Sequence, residues 1–155
     1  MQPKNYNNSL KSPQARIKEL EDCLVTAESK LRQYENRYRI ILDNLADEVH
    51  LWKLIKKKGG KIKTWELADV NPAALKSWHL QKKDVIGKTP DAIFGEGTTE
   101  QFMPIIKKIT RTQQPHSWIE YFEPTNQYLS ITSVPMGEFF LSTGKDISEE
   151  KLRQK

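Results

Sequence analysis

A chain of 155 residues is long enough for one globular domain and an appendage. With 37% hydrophobic and 29% charged residues it can bury one modest core, and no run approaches the roughly 18 apolar residues of a membrane span. The net charge of +5 permits weak attraction to nucleic acid or anionic membrane without requiring it, and the single cysteine, Cys23, excludes an internal disulfide and a cysteine-built metal cluster.

The opening stretch, MQPKNYNNSLKSPQ, has neither an apolar h-region nor a small-residue cleavage site. It reads as a disordered leader over 1–12, and a cytoplasmic location is the simplest expectation. From Ser12-Pro13, a cap followed by proline at the first helical position, the texture changes. Apolar residues recur at Ile17, Leu20, Leu24, Ala27, Leu31, Tyr34, Tyr38, Ile41 and Leu45, in steps of three and four. That is a heptad stripe, and the positions between are mostly Lys, Glu, Arg, Gln and Asn. The spacing predicts a coiled-coil helix over 13–37. Its seam must be covered, either by the chain's own domain or by a second copy. The solvated polar faces favour a homodimer, with Ile17, Leu20, Leu24, Leu31 and Tyr34 at the interface.

Residues 48–55 (EVHLWKLI) and 61–70 (KIKTWELADV) read as a strand hairpin. Lys56, Lys57, Lys58, Lys61 and Lys63 flank its Gly59-Gly60 turn. A solvated tip explains them; a phosphate-binding patch would add interleaved aromatics, so no nucleic-acid partner is expected. Asn71-Pro72 then opens a short helix, AALKSW, with asparagine as cap. Short helical turns follow at 82–87 and 90–94. The segment 98–112 is a longer helix with Phe102, Ile105, Ile106 and Ile109 on one face. Three strands follow at 116–122, 127–134 and 138–143, separated by Pro124-Thr125-Asn126 and Pro135-Met136-Gly137. The end, SEEKLRQK, starts an exit helix over 148–155 with Ser148 as its cap. Two strands followed much later by three predict an α+β fold, an antiparallel sheet with short helices gathered on one face.

Catalytic signatures are imitated rather than present. Gly87-Lys88-Thr89 resembles the end of a phosphate-binding loop, but Lys82 stands where the first glycine is required. Gly95-Glu96-Gly97 lacks the third glycine of a dinucleotide fingerprint. His50, His79 and His116 are far apart and have no metal-ligand spacing, so no metal site is expected. Cys23 lies in the coiled-coil helix, away from any pocket. The four tryptophans, Trp52, Trp65, Trp78 and Trp118, read as core packing before ligand contact.

Five landmarks in order carry a family resemblance: YRIILDNLADEVHLW, DVNPAAL, DVIGKTPDAIF, TTEQFMPIIKKI and FFLSTGKDISEEK. The last is similar to a closing motif of Asp, an apolar residue and Thr, with Ser148 in the threonine position. Over residues 38–151 the chain resembles a PAS domain. The resemblance implies a PAS-like five-stranded antiparallel sheet holding a pocket against its short helices, over about 38–147. It implies a small ligand, cofactor or partner domain whose occupancy reaches an effector through a flanking helix. By position, Asp146 is then the exit aspartate that joins the core to the C-terminal helix, with a coupling role and a purely structural one equally open. Asn71 is the helix-opening asparagine, for which a purely structural role is favoured.

If there is a pocket, the inner sheet face and the long helix line it. Strand alternation places Leu51, Ile119, Tyr121, Leu129, Ile131 and Leu141 there, with Phe102 and Ile106 from the helix. No cysteine lies within the PAS-like part, which argues against the photoactive flavin and the thioester-linked cinnamoyl pigment. A haem would need a histidine on 98–112, which has none. A non-covalent flavin, another small organic ligand, or no ligand stay open. The expected function is a sensory input module of a signalling protein, either a sensor histidine kinase or a cyclic-dinucleotide enzyme. No kinase or cyclase motif is present, so catalysis would lie in an effector outside this sequence. The alternative is a ligand-free dimerisation or protein-interaction module.

Overall fold

The structure is a computed structural model that describes residues 11–155. The leader expected over 1–12 therefore lies, save for its last two residues, outside the described residues. The chain divides into two compact units, one ending at Ile40 and one running from Ile41 to Lys155.

Helix α1 spans Pro13–Asn44, 32 residues. Ser12 begins it as expected: its Oγ accepts from the Ala15 N–H at 3.1 Å, and its carbonyl accepts from the Arg16 N–H at 2.9 Å. The heptad residues Ile17, Leu20, Leu24, Leu31 and Tyr34 are all exposed, at 52–63%.

The second unit is built on five antiparallel strands: β1 (Glu48–Lys56), β2 (Ile62–Val70), β3 (His116–Phe122), β4 (Gln127–Met136) and β5 (Phe139–Asp146). Their order across the sheet is β2-β1-β5-β4-β3. The helices between β2 and β3 are α2 (Pro72–Trp78), α3 (Lys82–Val85), α4 (Pro90–Phe94) and α5 (Thr98–Thr112), and α6 (Ser148–Arg153) follows β5. Strand β4 runs through Pro135 and Met136, so the turn to β5 is confined to Gly137 and Glu138. Gly137 takes a φ of 67°, which glycine adopts without a Cβ clash.

One face of the sheet packs against the helices. Its core joins Trp52, Leu54, Trp65, Leu67 and Phe140 from the strands to Ala74, Trp78, Ile106 and Ile109 from α2 and α5. Each large apolar side chain enclosed there contributes roughly 1.5–3 kcal/mol. The face predicted for α5 is the one that packs: Ile106 and Ile109 are buried, and Phe102 is half-buried beside them. Asn71 fastens the junction between β2 and α2. Its Oδ1 accepts from the Ala74 N–H at 3.1 Å, as a helix cap, and from the Val49 N–H at 2.9 Å. Its Nδ2 donates to the Asp47 carbonyl at 2.9 Å. The fully buried side chain thus ties α2 to the start of β1, and the structural role is the one observed.

Candidate ligand-binding cavity

A cavity of about 70 Å³ lies between the inner sheet face and helices α2, α4 and α5. Trp52, Trp65, Trp118, Phe122 and Phe140 reach it from the strands, and Trp78, Phe94 and Phe102 from the helices. Trp52 and Phe140 stack, 6.4 Å between centroids, and the other rings meet edge to face or tilted. Trp78 and Phe94 are 4.9 Å apart, Phe94 and Phe122 5.0 Å, and Trp65 and Phe140 5.5 Å, between centroids. All four tryptophans of the chain line this space, so they both pack the core and face the cavity.

Polar groups converge at one end. The Trp78 indole N–H donates to Glu48 Oε2 at 3.3 Å, and the Trp52 indole N–H donates to His50 Nδ1 at 2.6 Å. Since His50 Nδ1 accepts, the imidazole carries its proton on Nε2, which lies 3.9 Å from Glu48 Oε2. Burial pushes the His50 pKa down from 6.5 to about 3, so the ring is neutral near pH 7. Burial pushes the Glu48 carboxyl the other way, upward; the Ser77 and Trp78 hydrogen bonds oppose this and the nearby Asp146 charge adds to it. Gly144 makes room for the acid, because a Cβ there would stand 3.2 Å from Glu48 Oε2. Beside it, Ser133 and Ser142 hydroxyls satisfy each other at 2.6 Å.

A chain of hydrogen bonds leads from this end to α6. The Ser77 hydroxyl is within reach of Glu48 and donates to Gln127 Oε1 at 2.9 Å. Gln127 Nε2 donates to Asp146 Oδ2 at 2.8 Å, and Asp146 Oδ1 accepts from the Ser148 N–H at 2.9 Å. Desolvation raises the Asp146 pKa, but the Ser148 and Gln127 hydrogen bonds outweigh it and the net shift is downward. The start of α6 differs from expectation. Ile147 is the capping position, the Asp146 carboxylate satisfies the first N–H, and the Ser148 Oγ instead accepts from the Tyr128 N–H at 3.0 Å.

Of the residues expected to face the pocket, Phe102, Ile106, Leu129 and Ile131 line the cavity. Leu51, Ile119, Tyr121 and Leu141 do not, and their inward assignment is corrected. Leu51 and Leu141 oppose each other across β1 and β5 but alternate with Trp52 and Phe140, which are the inward residues. Ile119 and Tyr121 are exposed at 55% and 45%, while Trp118 and Phe122 on the same strand point in. On β3 the inward set includes Glu120, which is satisfied there by the Trp118 indole N–H at 2.9 Å and by Gln101. Glu48 and His50 were missed because a charged and a polar residue at a strand start read as solvent-facing. The one available signal was their shared parity with Trp52 and Leu54.

The lysine hairpin tip is exposed, as expected. His79 ends α2 in a left-handed conformation, and His116 stacks on Trp118. Among the described residues no cluster of potential metal ligands occurs, and no helix is long and apolar enough to cross a membrane. The residues do not fit a flavin: the cavity is several-fold below the 300 Å³ or so at which pockets for drug-sized ligands begin. Cys23 is exposed on α1, outside the unit that holds the cavity.

No protein-family model matches the sequence, and no curated protein matches it. Solved structures do. The PAS domain of Bordetella pertussis BvgS is 15% identical with a TM-score of 0.53, over 79% of this chain and 93% of that one. A PAS domain from Colwellia psychrerythraea is 14% identical with a TM-score of 0.56, over 75% and 98%. An RNA-binding light-oxygen-voltage receptor is 10% identical with a TM-score of 0.57 over 77% of this chain, which spans only about a third (34%) of the receptor. At these identities the likeness is one of fold, and the chain carries the PAS fold: a five-stranded antiparallel sheet with short helices on one face, preceded by a long helix.

Proposed function

We propose that this chain is the sensory module of a signal-transduction protein, which takes a small ligand in the aromatic cavity and reports it through α6. The observation that carries this reading is the hydrogen-bond chain from Ser77, beside Glu48, through Gln127 and Asp146 to the first turn of α6. Ser77 has one proton and two acceptors within reach. With Glu48 in its acid form, the carboxyl donates to Ser77, and Ser77 donates to Gln127. With Glu48 ionised, Ser77 turns its proton to the carboxylate and Gln127 Oε1 loses its donor. A ligand that favours one form thereby shifts the population at the Asp146 end. Asp146 is in this reading the signal-coupling residue, and any kinase or cyclase activity resides in an effector beyond α6.

Ser77→Ala cuts that chain without enlarging the core. The protection factors of the α6 amides, corrected for the intrinsic exchange rate at each pH, are expected to change in the wild type as Glu48 titrates above 4.5, and to stay constant in Ser77→Ala. An unchanged pH response in the variant would remove the coupling route.

The exposed heptad seam supports the second element, a homodimer through α1. Native mass spectrometry of the wild type is expected to give a dimer, and Leu20→Asp with Leu24→Asp a monomer of unchanged circular dichroism in the strand region. Excess mass on the dimer supports the sensor; a bare dimer favours a ligand-free interaction module. A wild-type monomer at every concentration sinks the coiled coil.

A further inference from the structure

Resting on the reading of the cavity as a ligand site, we propose that it selects a small organic cation, of the size and kind of an alkylammonium or guanidinium ion. Eight aromatic rings line a space of about 70 Å³, together with one buried carboxyl, Glu48, 7% exposed. No lysine or arginine is among the residues that line it. The neighbouring His50 is neutral, with its Nε2–H 3.9 Å from the carboxyl, so the one acid in the cavity has no countercharge there.

That combination discriminates by charge. An anion would meet Glu48 and the negative faces of the rings, with no cationic group to hold it. A neutral apolar molecule would leave the buried carboxyl with only neutral donors, the Trp78 indole at 3.3 Å and the Ser77 hydroxyl, and no opposite charge. A cation gains both from the carboxylate, through charge-assisted hydrogen bonds, and from the indole and phenyl faces. Removing its hydration is costly unless it is paired, and Glu48 supplies the pair. Size sets the second limit. An apolar cavity of about 150 Å³ takes benzene, so one near 70 Å³ suits roughly three or four heavy atoms. The remaining polar groups at the wall, Thr98, Ser133 and Ser142, can accept further N–H donors. Occupancy then connects to α6, because a bound cation holds Glu48 ionised and draws the Ser77 proton away from Gln127.

The test uses the full chain and two probes of equal size, guanidinium and urea, at low millimolar concentration and constant ionic strength. The four indole N–H signals in a nitrogen–proton correlation spectrum report on the cavity directly, since every tryptophan lines it. Guanidinium is expected to shift the Trp52 and Trp78 indoles and to bind about tenfold or more tightly than urea, the preference that one cation–π contact with a charge-assisted hydrogen bond provides. Glu48→Gln, nearly isosteric, is expected to bring the two probes to parity with its fold intact. Trp118→Leu, which changes the wall and leaves the acid, is expected to weaken guanidinium by a smaller factor. Equal binding of both probes in the wild type, unaffected by Glu48→Gln, would overturn the cation preference and leave the ligand site standing. Indole signals that respond to neither probe would overturn both.

Discussion

Asn71→Ala is expected to lower the unfolding free energy by at least about 3 kcal/mol. The cap on α2 accounts for about 1 kcal/mol of it. The rest comes from the Val49 N–H and the Asp47 carbonyl, which lose their partner where water has little access, at roughly 1–3 kcal/mol each. Asn71→Asp provides the control. It keeps both accepted hydrogen bonds, but a carboxylate oxygen then faces the Asp47 carbonyl at a fully buried site. At neutral pH a loss at least as large is therefore expected, recovered in part as the acid protonates at low pH. Urea unfolding of the two variants measures the difference directly. A loss near 1 kcal/mol for Asn71→Ala would mean that the residue is a helix cap and nothing more, and that the junction of β1 with α2 is held by packing.

The second large effect is acid instability caused by His50. Its pKa is about 3 in the folded protein against 6.5 without burial. Below pH 6.5 the unfolded chain takes up a proton that the folded chain refuses until about pH 3, so stability falls with pH across that window. At about 1.4 kcal/mol per unit, the loss between pH 6.5 and 4.5 is roughly 2–3 kcal/mol, allowing for the 15% of the side chain that solvent reaches. Glu48 runs against it. Its pKa is raised, so the folded protein gains a proton before the unfolded chain does, and stability rises as pH falls through its folded pKa toward 4.5. Thermal unfolding measured across pH 4–8 should therefore slope downward toward acid in the wild type. His50→Gln, which can still accept from the Trp52 indole, should remove that slope or reverse it. The same acid slope in His50→Gln would place the titrating group elsewhere.

Local chemistry made much of this legible before any tertiary contact was known. The Asn71-Pro72 pair marks a helix start because a side-chain acceptor and a missing N–H both suit that position. The 3.6-residue recurrence of Phe102, Ile106 and Ile109 identified the buried face of α5, since on a helix an apolar stripe has one way to be covered. Leu129 and Ile131 on β4 were assigned correctly for a similar reason, because Ser130 and Thr132 between them leave little ambiguity.

Parity failed on β1, β3 and β5, and a one-residue error in a strand reverses every side chain. In β1 both Leu51 and Trp52 are apolar, and in β5 both Phe139 and Phe140, so alternation could not choose between the faces. In β3 the choice ran against intuition, because Glu120 points in and Ile119 points out. What made the inward glutamate tolerable was Trp118 and Gln101 arriving beside it, from its own strand and from α5. Ser133 and Ser142, likewise, can be buried only because each satisfies the other across β4 and β5.

The sequence by itself determined the order of elements, the caps of α1 and α2 and the heptad spacing along α1. These follow from periodicity and from hydrogen bonds made within a few residues. Only the tertiary structure decided which side of the sheet is interior, and with it the buried Glu48 beside Gly144 and the route through Ser77, Gln127 and Asp146. Those features join distant residues: Ser77 and Gln127 stand 50 positions apart. Whether a polar side chain can be buried depends on which partner the fold brings to it, and no local pattern records that.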